Sequence, residues 1–563
     1  MKNLITILFL LPFFTGIAQS PKPIAFEDPA FNQQFAKRSI PKVTGQLIHV
    51  SKEELQKLTI QYAISNLTGQ KMKTARINAD GRFTLELENP LPYQQVFIGI
   101  GGLFTTGIYA NSDLHVTFDK SKKKLPTSSF RSFAEGITYT GTDASLNSYC
   151  LEDLFFKVEQ KMPLEKRLSQ LSELKYPDTK KILSVYKPVF DSLKTIQQEF
   201  IHEHPSPYSW ILEHEHQLGF YAQICLSSKD YVMEDSLFNK IRDYKTYILS
   251  GNSRFFYQYL CDYIRHYPGP QIMVGWKEVA HFPDLTQVEQ AAIDSLRATQ
   301  NYARSHPRTL EWYKEVKPRI LKVLSERELQ RNIRLADSLL TPVKADIIKL
   351  LFNQDKDIEE QKIALQQIVP SMSTPWCRAI AKKEYAQTIA RVDQVNQALA
   401  ASDRSSATSD ALGKVLEKTS FGATLYKVSG VRATDFLAKL KSSFAGKAII
   451  LDRWATWCGP CLEEMPHSKK LQQEAQDLPV VFIYACTASS SDEGKWKRKI
   501  FELELPGIHF FIDEALDAEL AAYFSFTGYP GYAFIDQKGT YKPGAIEWIS
   551  LIKDRSALEE ILR

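Results

Sequence analysis

Two cysteines, Cys458 and Cys461, stand two residues apart behind a tryptophan in RWATWCGPCLEEMP, residues 453–466. A buried apolar run, AIILD, ends just before Trp454, and Pro460 suits the first turn of a helix because its missing N–H would be unpaired there in any case. Cys458 is therefore predicted at a helix N-terminus. Unpaired amide N–H groups and the helix dipole stabilise an anion at that point, and they lower a thiol pKa from about 8.5 to roughly 3.5–7.5. Such a thiol is a nucleophile at neutral pH. On the first helical turn this spacing lets the Cys461 sulfur reach that of Cys458, so Cys461 can resolve a mixed disulfide. A zinc clamp would need further ligands, and the nearest candidates, His467 and Cys486, make no matching pattern. A purely structural disulfide would close too short a loop to stabilise much by chain entropy.

The elements that must hold these sulfurs follow a polar segment without periodicity, ASDRSSATSD at 401–410, which marks a linker over 401–412. Beyond it, strand-like and helix-like runs alternate: ATLYKV, ATDFLAKLKSSF, KAIILDRWA, a helix after the thiols, LPVVFIYAC, GKWKRKIFELEL, GIHFFID, ALDAELAAYF, GYAFIDQKG and a last helix near SALEEILR. Alternation of this kind predicts a central sheet covered by helices on both faces, over 413–563.

WATWCGPC followed by LEEMP resembles the active-site signature of the thioredoxin superfamily, in particular the exported TlpA/ResA-like thiol-disulfide oxidoreductases of Bacteroidetes type. The resemblance covers about residues 425–563, roughly a quarter of the chain. It implies that Asp452, six residues before the first thiol, is a buried acid that accepts a proton from the resolving Cys461. It implies that Pro466 kinks the active-site helix and that Pro530, in FTGYPGYAFID, is cis and lies against the thiols. Tyr529 would then offer its backbone to an extended substrate segment by strand-like pairing, with Trp457 also on the substrate surface. GKWKRKIFELELPGIHFFID supplies the insertion of one helix and one strand that such proteins carry between the cysteines and that proline. Two positions depart from the family pattern. Arg453 stands where the residue is usually apolar, and Gly531 follows the proline where threonine is common. The proline–threonine approach to a peroxidatic cysteine is missing upstream, which disfavours a peroxidase.

No organic or metal cofactor is required by this resemblance. A Gly-Pro pair between the thiols resembles thioredoxin, whose potential is about −270 mV, so the expected role is that of a reductant. Family resemblance implies oxidised envelope proteins, apocytochrome c among them, as acceptors, and a membrane thiol relay as donor. Two rivals stand beside it: a disulfide isomerase, and an envelope binding or scaffold protein with a vestigial thioredoxin domain.

The remaining chain predicts a multidomain protein. Lys2, the apolar run Leu4–Phe14 and the small-residue pattern Gly16-Ile17-Ala18 make residues 1–18 a signal peptide cleaved after Ala18, which places the mature chain in the periplasm or cell envelope. No other run is long and apolar enough to span a bilayer. Residues 19–141 alternate short β-rich runs with turn signals, Asp80-Gly81 reading as a hairpin, and predict an antiparallel β-sandwich. Residues 142–400, with LEDLFFKVEQKM, VFDSLKTIQQEFI, IRDYKTYIL and ADIIKLLFNQ, carry helical periodicity. Prolines, including 177, 188, 342, 370 and 375, divide them into an irregular α-helical domain. The net charge of +5 over 563 residues, without a long Lys/Arg block, offers no footprint for nucleic acid. The other cysteines are expected to be buried small hydrophobes, Cys486 retaining the alternative of a regulatory or misplaced disulfide. HEHPSPYSWILEHEH, residues 202–216, lacks the i, i+4 His pair of helical zinc sites and reads as a solvated helix end.

Overall fold

A computed structural model describes residues 23–56, 58, 60–101, 103–122, 135–172, 176, 178–228, 232–267, 286–287, 290–291, 325–354, 356, 358–402, 409–410, 412–489, 491–526 and 528–563. The signal peptide expected at 1–18 and most of the linker expected at 401–412 lie outside these residues. The chain forms two compact units, Met1–Gln354 with Ile363–Lys383, and Asp355–Lys362 with Glu384–Arg563.

The first unit contains eight described strands: β1 (Lys42–Ile48), β2 (Ile60–Asn66), β3 (Gly69–Ala75), β4 (Arg82–Leu85), β5 (Gln94–Ile100), β6 (Phe104–Ala110), β7 (Asp113–Asp119) and β8 (Ile137–Thr140). They make two four-stranded sheets, ordered β4-β1-β7-β8 and β3-β2-β5-β6. Alternate residues of both sheets, among them Val43, Leu47, Tyr62, Ile64, Val96, Ile98, Val116 and Phe118, enter one apolar cluster, as the two-residue strand period requires. Two expectations change. β1 runs parallel to β7, so the first sheet is mixed. The turn at Asp80-Gly81 joins strands of different sheets, since β3 pairs with β2 and β4 with β1. Gly81 is still required, because its φ is +81° and a Cβ would lie 2.3 Å from the Leu47 carbonyl oxygen.

Helices of this unit include α1 (Ala30–Lys37), a single turn α2 (Lys52–Leu55), α3 (Ala144–Ser172), α4 (Thr179–Glu203), α5 (Ser209–Ser227), α6 (Asp235–Asp243), α7 (Gly251–His266) and α8 (Pro342–Leu351). Pro342 opens α8 as expected, but Pro188 lies inside α4. The helix survives it because Tyr186, Val189, Phe190 and Leu193 around it are buried, and packing outweighs one lost backbone bond. IRDYKTYIL is helical only to Asp243. Its remainder is held extended by tertiary pairing, Phe26 N–H donating to the Thr246 carbonyl at 2.8 Å and Gln95 N–H to that of Leu249 at 2.7 Å. The histidine-rich stretch also differs from expectation: His214 is buried and bonds the Tyr244 hydroxyl at 2.8 Å, its ring stacked on that tyrosine.

In the second unit, an eight-stranded sheet has the order β16-β15-β12-β13-β14-β11-β10-β9. Its strands are β9 (Ser409–Asp410), β10 (Gly413–Lys418), β11 (Ala423–Val428), β12 (Ala448–Trp454), β13 (Val480–Thr487), β14 (Gly507–Ile512), β15 (Gly531–Ile535) and β16 (Tyr541–Lys542). Two helices, α9 (Ile358–Ser371) and α10 (Pro375–Ser402), are divided between the two units, and the second unit continues with α11 (Ala433–Ser443), α12 (Gly459–Glu474), α13 (Glu493–Leu503), α14 (Glu514–Phe524) and α15 (Arg555–Leu562). The insertion anticipated between the cysteines and Pro530 is α13 and β14. β12, β13, β14 and β11 are successively parallel, and β15 joins β12 antiparallel. Ile450 and Trp454 face a cluster with Met465, Leu471 and Leu558, while Ile449 and Leu451 face Phe436, Leu440, Leu516 and Leu520. Helices therefore cover both faces. Among the described residues no helix is long and apolar enough to cross a membrane.

Candidate active site

Every residue of β12 is buried, as befits a central strand with neighbours on both edges. Because side chains alternate, its last residues part company: Asp452 shares the face of Ile450 and Trp454, and Arg453 the opposite one. A few residues later Cys458 caps α12, with Pro460 in the first turn, and its Sγ accepts a hydrogen bond from Cys461 N at 3.2 Å. Cys458 and Cys461 are disulfide-bonded. Both belong to the cluster beneath α12, with Cys458 only 4% exposed and Cys461 fully buried. Trp457, by contrast, is 52% exposed; its indole N–H donates to the Ser489 carbonyl at 2.9 Å. Pro466 sits within α12.

The Tyr529–Pro530 peptide bond is cis, and it immediately precedes β15. The Tyr529 ring lies edge-on to Trp457, with centroids 5.3 Å apart. Burial, and then its bond to Asp517, push the Tyr529 hydroxyl up to about 12. The sequence-predicted residues Trp457 and Tyr529 are thus brought together beside the disulfide's helix.

Asp452 is buried at 2% exposure, and neither carboxylate oxygen has a hydrogen-bond partner among the described residues. Burial first, and the nearby Glu464 second, raise its pKa well above the usual aspartate range. A carboxyl so placed binds a proton more tightly than a solvated aspartate does. Glu464 was not singled out by sequence, although LEEMP places it one turn after Cys461; it is 7% exposed and accepts from Ser550 N at 2.8 Å. Tyr532, directly across the ladder from Asp452, was likewise missed. Its hydroxyl has no partner among the described residues, and its pKa is raised by burial and then by Asp452 and Glu464. Cys486 carries a buried free thiol opposite Trp454, its pKa raised by burial.

The two departures at Arg453 and Gly531 are cross-strand partners. A Cβ on Gly531 would lie 2.9 Å from the Phe526 ring, so Phe526 fills the space where a side chain would stand. Gly531→Thr is expected to destabilise the protein by about 1–3 kcal/mol through overpacking, read as a lower midpoint in thermal unfolding followed by circular dichroism; an unchanged midpoint would contradict the packing described.

A cysteine pair at the start of a helix after a buried central parallel strand, with a cis-proline just before the antiparallel strand paired to it, defines a thioredoxin-like α/β domain. Consistent with this, the Redoxin family profile matches residues 427–543. The chain is 33% identical over 119 residues to thioredoxin-like protein YneN of Bacillus subtilis, covering 20% of this chain and 66% of that protein. It is 27% identical over 122 residues to the thiol-disulfide oxidoreductase ResA of Oceanobacillus iheyensis, covering 22% of this chain and 52% of ResA. The thioredoxin domain of a thiol-disulfide oxidoreductase from Bacteroides vulgatus aligns with 22% of this chain and 84% of its own length, at 19% identity and a TM-score of 0.20. The chain carries a Redoxin domain at residues 427–543, and it spans only part of the length of these relatives.

Proposed function

We propose that this protein is an exported thiol-disulfide oxidoreductase that reduces oxidised envelope proteins. The observation that carries it is the Cys458–Cys461 disulfide at the N-terminus of α12. In the reduced form, the Cys458 thiolate attacks a substrate disulfide, forms a mixed disulfide and expels one substrate thiolate. Asp452 takes the proton of Cys461, whose sulfur then attacks Cys458 and releases the second substrate thiolate. Two electrons pass to the substrate, and the internal disulfide is left behind. The Tyr529-Pro530 segment and Trp457 hold the substrate backbone during the exchange, and no metal or organic cofactor takes part.

The oxidised enzyme then needs a dithiol donor, assigned here to a membrane thiol relay, and its acceptors are oxidised protein thiols, apocytochrome c among them. In this account residues 1–18 direct export to the periplasm, residues 19–141 form a β-sandwich domain and 142–400 a helical one, and 401–412 link them to the catalytic domain at 413–563. Equilibration of the full chain with glutathione buffers is expected to place the couple near the thioredoxin value of about −270 mV. A potential near about −120 mV, that of a strong oxidant, would overturn the reductant assignment.

A further inference from the structure

The side of β12 that faces away from the thiols carries a buried guanidinium that makes four hydrogen bonds. Arg453 donates from Nε to Asp517 Oδ1 at 2.7 Å and from Nη2 to Asp517 Oδ2 at 2.8 Å, a two-pronged fork onto α14. Its Nη1 donates to the Gly528 carbonyl at 3.0 Å, and Nη2 also donates to the Tyr529 hydroxyl at 2.8 Å. That hydroxyl in turn donates to Asp517 Oδ2 at 2.6 Å. The guanidinium carbon lies 3.8 Å from the centre of the Tyr529 ring, close enough for a cation–π contact.

We propose that Arg453, held by Asp517, is a positioning residue that sets the Gly528–Pro530 ledge against Trp457, so that recognition of extended protein disulfides depends on it while sulfur exchange does not. This rests on the oxidoreductase activity proposed above. A buried ion pair adds little stability over well-packed apolar residues, so core packing alone gives no reason for an arginine here. What the guanidinium adds is direction. It reaches the backbone of residue 528 and the side chain of 529 together, and Tyr529 passes that constraint edge-on to Trp457. Gly531, opposite Arg453, has no side chain on this face and leaves the room that Phe526 fills.

The test compares full-length wild type with Arg453→Met, Arg453→Lys and the paired Arg453→Met/Asp517→Leu, which leaves no charge stranded. Each is assayed in reduced form with insulin and with 5,5′-dithiobis(2-nitrobenzoate), a small disulfide that needs no ledge. The methionine and paired variants are expected to raise KM for insulin about tenfold, with kcat and the small-disulfide rate within roughly twofold of wild type. Lysine, a point charge without the fork, is expected to restore insulin KM only in part. An unchanged insulin KM in variants that retain the wild-type circular dichroism spectrum would overturn the inference, as would equal losses on both substrates. A wild-type protein that reduces neither disulfide would instead remove the oxidoreductase activity itself, and the inference with it.

Discussion

Cys458→Ser is expected to lower insulin reduction at least about a thousandfold, to the uncatalysed background. A serine hydroxyl stays protonated at neutral pH and cannot form the mixed disulfide, so the two-electron step has no alternative route. Cys458 sits where the chemistry wants an anion, capping α12 and accepting from Cys461 N at 3.2 Å. Cys461→Ala is expected to leave the first attack intact and block the second, so that covalent complexes with protein disulfides accumulate and disappear on adding dithiothreitol. Alkylation of the reduced wild type across pH should reveal one thiol titrating below the ordinary value of about 8.5. Cys486 will not mimic that signal, because burial moves its pKa the other way. A Cys458→Ser protein that still reduced insulin at more than a few per cent of the wild-type rate would remove Cys458 as nucleophile.

The second large effect concerns Asp452, whose replacement should slow the enzyme and stabilise the fold together. As general base for Cys461 it is expected to contribute about 100-fold, so Asp452→Asn should lower turnover on insulin by roughly that factor at pH 7. The stability effect has the opposite sign. Folding raises this carboxyl's pKa above its ordinary value of 3.8, so between those two values the folded chain holds a proton that the unfolded chain has released. Stability therefore falls as pH climbs from 3.8 towards the folded pKa, and the unfavourable contribution is largest above it. Glu464 from α12, Tyr532 from β15 and Tyr484, its register partner on β13, surround the group. Asparagine removes the charge, and a rise of roughly 5 °C in the unfolding midpoint is expected at pH 8, with little change at pH 4. A variant that turned over normally, or that melted lower at pH 8, would contradict the assignment.

Much of the second unit was legible in advance because its signals are local. KAIILDRWA is apolar over most of its length, as a strand covered on both faces must be, and the Gly-Pro after Cys458 marks a helix start wherever it folds. The helical unit was less legible. Pro188 ought to end a helix by its own chemistry, yet the buried side chains around it keep α4 continuous, and YKTYIL has helical spacing but is drawn into extended pairing with Phe26 and Gln95. His214 looked solvated because its neighbours in sequence are charged; its neighbours in space are tyrosines.

By itself the sequence determined the chemistry on offer: two thiols one helical turn apart, an acid six residues upstream, and a proline before the last core strand. Those depend on spacing along one chain segment, which periodicity and turn chemistry can carry. Only the tertiary structure decided that Glu464 and Tyr532 crowd Asp452, that Arg453 and Gly531 are opposite one another, and that Asp517 joins Arg453 of β12 to Tyr529. Each joins residues from different elements, and the register of a sheet, unlike the period of a strand, is set by packing across the whole core.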